Sequence, residues 1–155
     1  MVSLKRIIVP TDYSAYSGIA FRYALEIASK LAATLDVVHV WSAPYFGPEY
    51  EDIPVGDDKK SLFTLIRDRA NEEMSEFVAR HAPPQGVHVN THVHSGEPTQ
   101  TLLHLAEQLP ADLIVTGTHG RTGAKYFVLG SVATRLVRYA PCPVLCVPGP
   151  SGQVK

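Results

Sequence analysis

Cysteine is scarce in this chain of 155 residues, which carries two. Cys142 and Cys146 fall in one apolar segment, PCPVLCV, which reads as a strand. At about 3.3 Å per residue their Cα atoms stand roughly 13 Å apart, too far for a bridge. Neither has further cysteines at a metal-ligand spacing, so both are expected as small buried hydrophobes. Surplus charge is also missing: 14 basic residues face 15 acidic ones, for a formal charge of -1. With no basic block to neutralise a phosphate backbone, nucleic acid is not an expected partner. Long apolar runs are absent too. The opening MVSLKRIIVPTD has only a short apolar stretch before its proline, neither a secretory h-region nor a membrane span, so the cytoplasm is the expected compartment. Two common phosphate-binding signatures fail as well: no GxxxxGK[ST] occurs, and no GxGxxG follows the first strand.

What is present is an ordinary globular composition, 45% hydrophobic and 19% charged, at a length that suits one domain. Lys5 to Val9 is a β-branched run ended by Pro10, which predicts a buried strand. From Ser14 the spacing turns helical, with Ile19, Ala20, Ala24, Ile27, Ala28 and Leu31 on one stripe. Asp36 to Trp41 predicts a second strand, and Leu62, Ile66, Ala70, Met74, Phe77 and Val78 mark a second helix ending before Pro83 and Pro84. Val87 to His94 predicts a third strand. Pro98 opens a third helix, with Leu102, Leu105, Ala106 and Leu109 inward. Asp112 to Thr116, Ser131 to Tyr139 and Pro143 to Val147 follow as strand, helix and strand, the helix with Val132, Leu136 and Val137 inward. Strands alternating with helices imply a doubly wound α/β domain, a parallel sheet with helices on both faces. Ser42 to Asp58, with three prolines and two glycines, is expected as a long loop or flap.

The segment VTGTHGRTGAKYFVLGSV holds Gly117, Gly120, Gly123 and Gly130 and begins at a strand's carboxyl end, where open α/β sheets bind ligands. Glycines permit unusual backbone angles and let amides approach an anion with no Cβ in the way. Gly130 and Ser131 stand at a helix start, where free N–H groups and the helix dipole favour phosphate. The competing reading is a glycine-rich turn with an ordinary Gly-Ser cap.

Read together, VPTDYS, HVW, SGEP, ADLIVTGTHGRTG, GSV and APCPVLCV resemble the universal stress protein family, and specifically its ATP-binding branch. The spacing Gly117-x2-Gly120-x9-Gly130-Ser131 matches that branch's nucleotide signature without a gap. The resemblance implies a five-stranded sheet in order 3-2-1-4-5, adenine nucleotide alpha hydrolase-like, over residues 1–148 with a tail at 149–155. It puts Asp12, flanked by Pro10 and Thr11, near ribose and adenine. Val40 would meet the adenine edge, and Gly117, Gly120, Gly130, Ser131 and Val132 would surround the phosphates. His119, Arg121, Gly123 and Lys125 lie within the same loop, and Mg²⁺ or Mn²⁺ is expected with the phosphates of ATP. A carboxylate accepts hydrogen bonds from ribose hydroxyls but repels phosphate, which agrees with that division; the alternative for Asp12 is capping the first helix with Ser14.

The resemblance further implies a homodimer through Pro143 to Val147 and a stress-response or regulatory role rather than an enzyme. Slow ATP hydrolysis or nucleotidyl transfer, with Asp12 and His119 the obvious candidates, and a nucleotide-free interaction module are the alternatives. Four other features carry weaker expectations. His88, Asn90, His92 and His94 share one face of the third strand and suit a polar edge better than a metal site. His119 is expected either to hydrogen-bond the ligand or carry a proton, or to have a conformational or surface role. His39 is expected as a satisfied core histidine. Trp41, Tyr45 and Phe46 either wall the adenine or pack the flap.

Overall fold

The computed structural model describes residues 3–42, 54–55, 60–120 and 129–149. In chain order its elements are β1 (Arg6–Pro10), α1 (Ala15–Leu31), β2 (Thr34–Trp41), β3 (Pro54–Val55), β4 (Lys60–Ser61) and α2 (Leu62–Arg80). Then come β5 (Val89–Ser95), α3 (Pro98–Gln108), β6 (Leu113–Gly117), α4 (Ser131–Tyr139) and β7 (Val144–Val147). Five strands make one parallel sheet in the order β5-β2-β1-β6-β7, the expected third-second-first-fourth-fifth arrangement. The strand order reverses between β1 and β6, so the chain parts there and leaves a crevice at the carboxyl ends.

Alternation along β1 explains the two layers. Ile7 and Val9 join Leu35, Val37, Phe21 and Ala24 of α1, and Met74 and Phe77 of α2, in one core. Ile8 points the other way and packs with Val38, Ile114, Leu102 and Leu105 of α3, and Leu136 of α4. All three β1 residues are fully buried, which a strand covered by helices on both faces requires. Each of the first three helices starts at a side chain that accepts from its first turn: Ser14, Ser61 and Glu97. Among the described residues no helix is long and apolar enough to cross a membrane.

Several expectations need correction. Periodicity predicts Leu31 and Val137 inward, yet they are 50% and 54% exposed. Leu31 is the last residue of α1, and α4 is only nine residues long, burying Ala133 and Leu136 alone. Phe21 and Leu25 are buried instead, so the inner stripe of α1 is broader than the spacing suggested. The loop after β2 contains the start of a two-residue antiparallel ribbon, β3 with β4; 43–53 and 56–59, with Tyr45 and Phe46, lie outside the described residues. The third strand starts at Val89, not Val87, and the second begins two residues early, at Thr34. Both cysteines are free and half-buried, and burial raises both thiol pKa values, with the charge of Asp112 adding to the effect at Cys142.

The polar face of β5 has a partner that sequence spacing did not reveal. Asp36 on β2 is fully buried, and its carboxylate accepts from Arg6 Nε at 2.8 Å, His92 Nε2 at 2.8 Å and Asn90 Nδ2 at 3.1 Å. Burial pushes the Asp36 pKa up, but the hydrogen bonds of His92 and Asn90 and the charge of Arg6 outweigh it and hold the group below its ordinary value. His94 stacks beside His92 with ring centroids 6.3 Å apart, and His88 is exposed ahead of the strand. Among the described residues no three His, Cys, Asp or Glu side chains are grouped to hold a metal ion.

Candidate functional site

One wall of the crevice is the turn from β1 into α1. Thr11 is buried; its amide donates to Val38 O at 2.8 Å, and its hydroxyl pairs with Ser17 Oγ at 3.0 Å while accepting from the Tyr13 amide. Tyr13 takes a left-handed conformation, φ 64°, which a tyrosine adopts only when its surroundings hold it there. Its hydroxyl donates to Ala70 O at 3.2 Å, and its ring stacks on His39 at 4.3 Å. His39 Nδ1 in turn donates to Thr11 O at 2.8 Å, the satisfied core histidine that was expected. Within this frame Asp12 Oδ1 accepts from the Ser14 amide at 3.0 Å, whereas Ser14 itself caps α1 by accepting from Ser17 N. The carboxylate therefore supports the capping turn without being the cap. Its other oxygen leans across the crevice, where a Cβ at Gly120 would stand 2.7 Å from Oδ2.

The facing wall runs from β6 to α4. Gly117 ends β6 against α1, and a Cβ there would come within 3.1 Å of the Tyr16 backbone carbon and oxygen. Thr118 is fastened on both sides: its amide donates to Val147 O at 3.1 Å, and its carbonyl accepts from the Gly130 amide at 2.7 Å. Gly130 is the residue before α4, at φ -56° and ψ 157°, and among the described residues no side chain caps that helix. The described loop glycines 117, 120 and 130 do not occupy the left-handed region, where Gly86 and Gly96 sit. Close approach, rather than unusual backbone angles, is what glycine supplies at 117 and 120, whereas a Cβ at Gly130 would meet only ordinary contacts.

Between the walls lies a cleft of about 500 Å³, within the range of small-molecule sites. Ten of the sequence-predicted residues line it: Pro10, Thr11 and Asp12 from the first turn, Val40 from β2, and Gly117, His119, Gly120, Gly130, Ser131 and Val132 from the second wall. Arg121, Gly123 and Lys125 lie outside the described residues. Sequence reasoning missed Ser17, Thr116, Thr118 and Ser42, as well as Pro98 and Leu102, which α3 contributes with Val38 and Val40 as apolar surface. Pro98 was legible as a helix start, and the sheet order puts that start near the crevice; Leu102 has no local signal beyond its place on an inward stripe.

The chemistry of the cleft is uneven. Among the described residues no side-chain cap bond occupies the first amides of α4, and with Gly117 and Gly120 close by they make a donor-rich wall suited to an anion. The acceptor-rich wall is Asp12. His119 Nδ1 lies 3.0 Å from Thr118 Oγ1 and its ring 5.4 Å from that of Tyr16, while Nε2 is buried with no hydrogen-bond partner among the described residues. At the rim, Glu97 caps α3 and faces Arg135 of α4 at 3.6 Å. The Gln100 amide, donating to its carboxylate, is the main reason its pKa falls below the ordinary value, with Thr99 and Arg135 adding to this against a small opposing effect of burial.

Comparison with known proteins fits this architecture. A model of the universal stress protein family matches residues 3–148. A universal stress protein of Methanocaldococcus jannaschii is 34% identical over 147 residues, covering 94% of this chain and 83% of that protein. Among solved structures, universal stress protein UspA from Lactobacillus plantarum is 26% identical with a TM-score of 0.70, over 95% of this chain and 99% of that one. A family protein from Arabidopsis thaliana, solved with AMP bound, is 20% identical with a TM-score of 0.62, over 95% of this chain and 93% of its own. With a family match over nearly its whole length and a relative of this identity, the chain belongs to the universal stress protein family.

Proposed function

We propose that the cleft binds an adenine nucleotide, ATP in particular, and that the protein is a nucleotide-dependent regulator in the cytoplasm rather than an enzyme. The observation that carries this reading is the uncapped start of α4, which opens on the cleft beside Gly117 and Gly120 and opposite the carboxylate of Asp12. The phosphates lie against the amides at Gly117, Gly120, Gly130, Ser131 and Val132, and the Ser131 hydroxyl donates to them. Arg121 and Lys125 offset triphosphate charge. Asp12 accepts from the ribose hydroxyls, and the Val40 backbone meets the adenine edge. Mg²⁺ or Mn²⁺ accompanies the phosphates and neutralises part of their charge. The Arabidopsis relative with AMP supports the ligand class.

A binding role is favoured over catalysis because neither candidate proton carrier is set to move a proton in the cleft. Asp12 accepts from a backbone amide, and the free nitrogen of His119 is buried. Melting with and without Mg-ATP tests the reading. A ligand that binds only the folded form, at a hundred times its Kd, stabilises by about 2.7 kcal/mol; a transition that does not move overturns it. Rapid turnover lost in His119→Ala, with ATP binding retained, favours the enzyme instead.

The reading includes a homodimer through β7. This edge strand leaves Leu145 39% exposed, and an apolar edge favours pairing or cover. Leu145→Lys is expected to give a monomer by light scattering, and a dimer that persists excludes this interface.

A further inference from the structure

Three segments meet at Tyr16, in the first turn of α1. Gly117 lies against its backbone, and the His119 ring lies 5.4 Å from its ring at a tilt of 51°. The backbone of Gly149, two residues past β7, runs so near the same ring that a Cβ there would overlap Tyr16 Cδ1 and Cε1. Neither Tyr16 nor Gly149 lines the cleft.

His119 stands between Thr118, which is fastened at both its amide and its carbonyl, and Gly120, whose place against Asp12 leaves no room for a Cβ. Its ring has one polar neighbour, the Thr118 hydroxyl, and its other nitrogen has none among the described residues. Among the described residues hydrogen bonding therefore holds the imidazole at one corner, and Tyr16 is the ring it packs against. Donors that stabilise an anion act well only when held in place, and small displacements of such groups are costly.

We propose that Tyr16 is a positioning residue for the anion loop, and that Gly149, one residue beyond the matched family region, fixes where Tyr16 stands. This rests on the nucleotide reading given above. A side chain at 149 displaces the Tyr16 ring, the His119 ring follows, and the amide at Gly120 leaves its place relative to those of α4. The segment after β7 is thereby part of the support of the site, without touching the ligand.

The test uses the full chain and Mg-ATP as probe. Calorimetric Kd values and nucleotide-free melting are measured for the wild type, Gly149→Ala, Gly149→Val, Tyr16→Phe and Tyr16→Ala. Gly149→Val and Tyr16→Ala are expected to weaken binding about tenfold, with melting of the nucleotide-free protein within about two degrees of the wild type. Gly149→Ala is expected to fall between them and the wild type. Tyr16→Phe keeps the ring and binds as the wild type does. The His119 ring proton resonances, which feel the Tyr16 ring, are expected to shift in Gly149→Val even without nucleotide. Wild-type affinity in Gly149→Val, or unmoved His119 resonances, overturns the positioning role alone. A wild type that binds no adenine nucleotide overturns both this proposal and the functional reading.

Discussion

At the amino-terminal end of the sheet Asp36 accepts from Arg6, Asn90 and His92, and Asp112 accepts from the amides of Lys5 and Arg6. At the carboxyl end, α4 begins without a side-chain cap and His119 keeps a buried nitrogen with no partner among the described residues. One end of the same five strands closes its polar groups on one another, and the other leaves donors open. Glycine in place of a capping side chain costs about a few tenths of a kcal/mol, and an unpaired buried group costs about 1–3 kcal/mol. Such costs at one end, beside the paired network at the other, are what the proposed nucleotide would offset.

The comparison breaks most readily at its closed end. Asp36→Ala leaves Arg6, Asn90 and His92 without their common acceptor and is expected to cost about 3 kcal/mol in urea unfolding. ATP affinity of the folded fraction is expected to stay within about twofold of the wild type; an equal loss of affinity shows that the two ends are not independent. At the open end, a Cβ at Gly130 would lie 3.4 Å from Thr118 O and 3.9 Å from Gly120 N, ordinary contacts that the fold accommodates. Gly130→Ala is therefore expected to keep the fold while crowding the phosphates, weakening ATP about tenfold, or about 1.4 kcal/mol. An unaltered Kd removes the phosphates from this wall.

The smallest effect is on pH dependence. His94 has its pKa lowered from 6.5 by burial, with the charge of His92 adding to it, so the fold favours its neutral form. Its contribution to stability is complete above 6.5 and is lost as the pH falls through the lower folded value. Asp36, held below 3.8, contributes above that value and loses its contribution as the pH falls through its folded pKa. Denaturation across this range is expected to show stability declining in two steps on acidification. His94→Gln removes the upper step and keeps the lower; an upper step that survives assigns it to another group.

Much of this division was legible in the sequence, and the reason differs from place to place. The strands of the sheet were visible because burial on both faces forces apolar runs such as Ile7 to Val9. The glycine wall was visible because Gly117, Gly120 and Gly130 surrender side chains where a strand ends. The Asp36 network was not, since its donors lie 30 to 56 positions from Asp36 and only the pairing of β2 with β1 and β5 brings them together. Leu102 was hidden for a similar reason: a helix stripe says that a residue faces inward but not whether it meets core or cleft. Tyr13 was hidden because its left-handed backbone is imposed by Ala70 and His39, contacts that no local pattern encodes.

Thr118, holding Val147 through its amide and Gly130 through its carbonyl, works as a clasp between the end of β7 and the start of α4. Both bonds run through the backbone, so an exchange of the threonine side chain leaves the clasp itself in place.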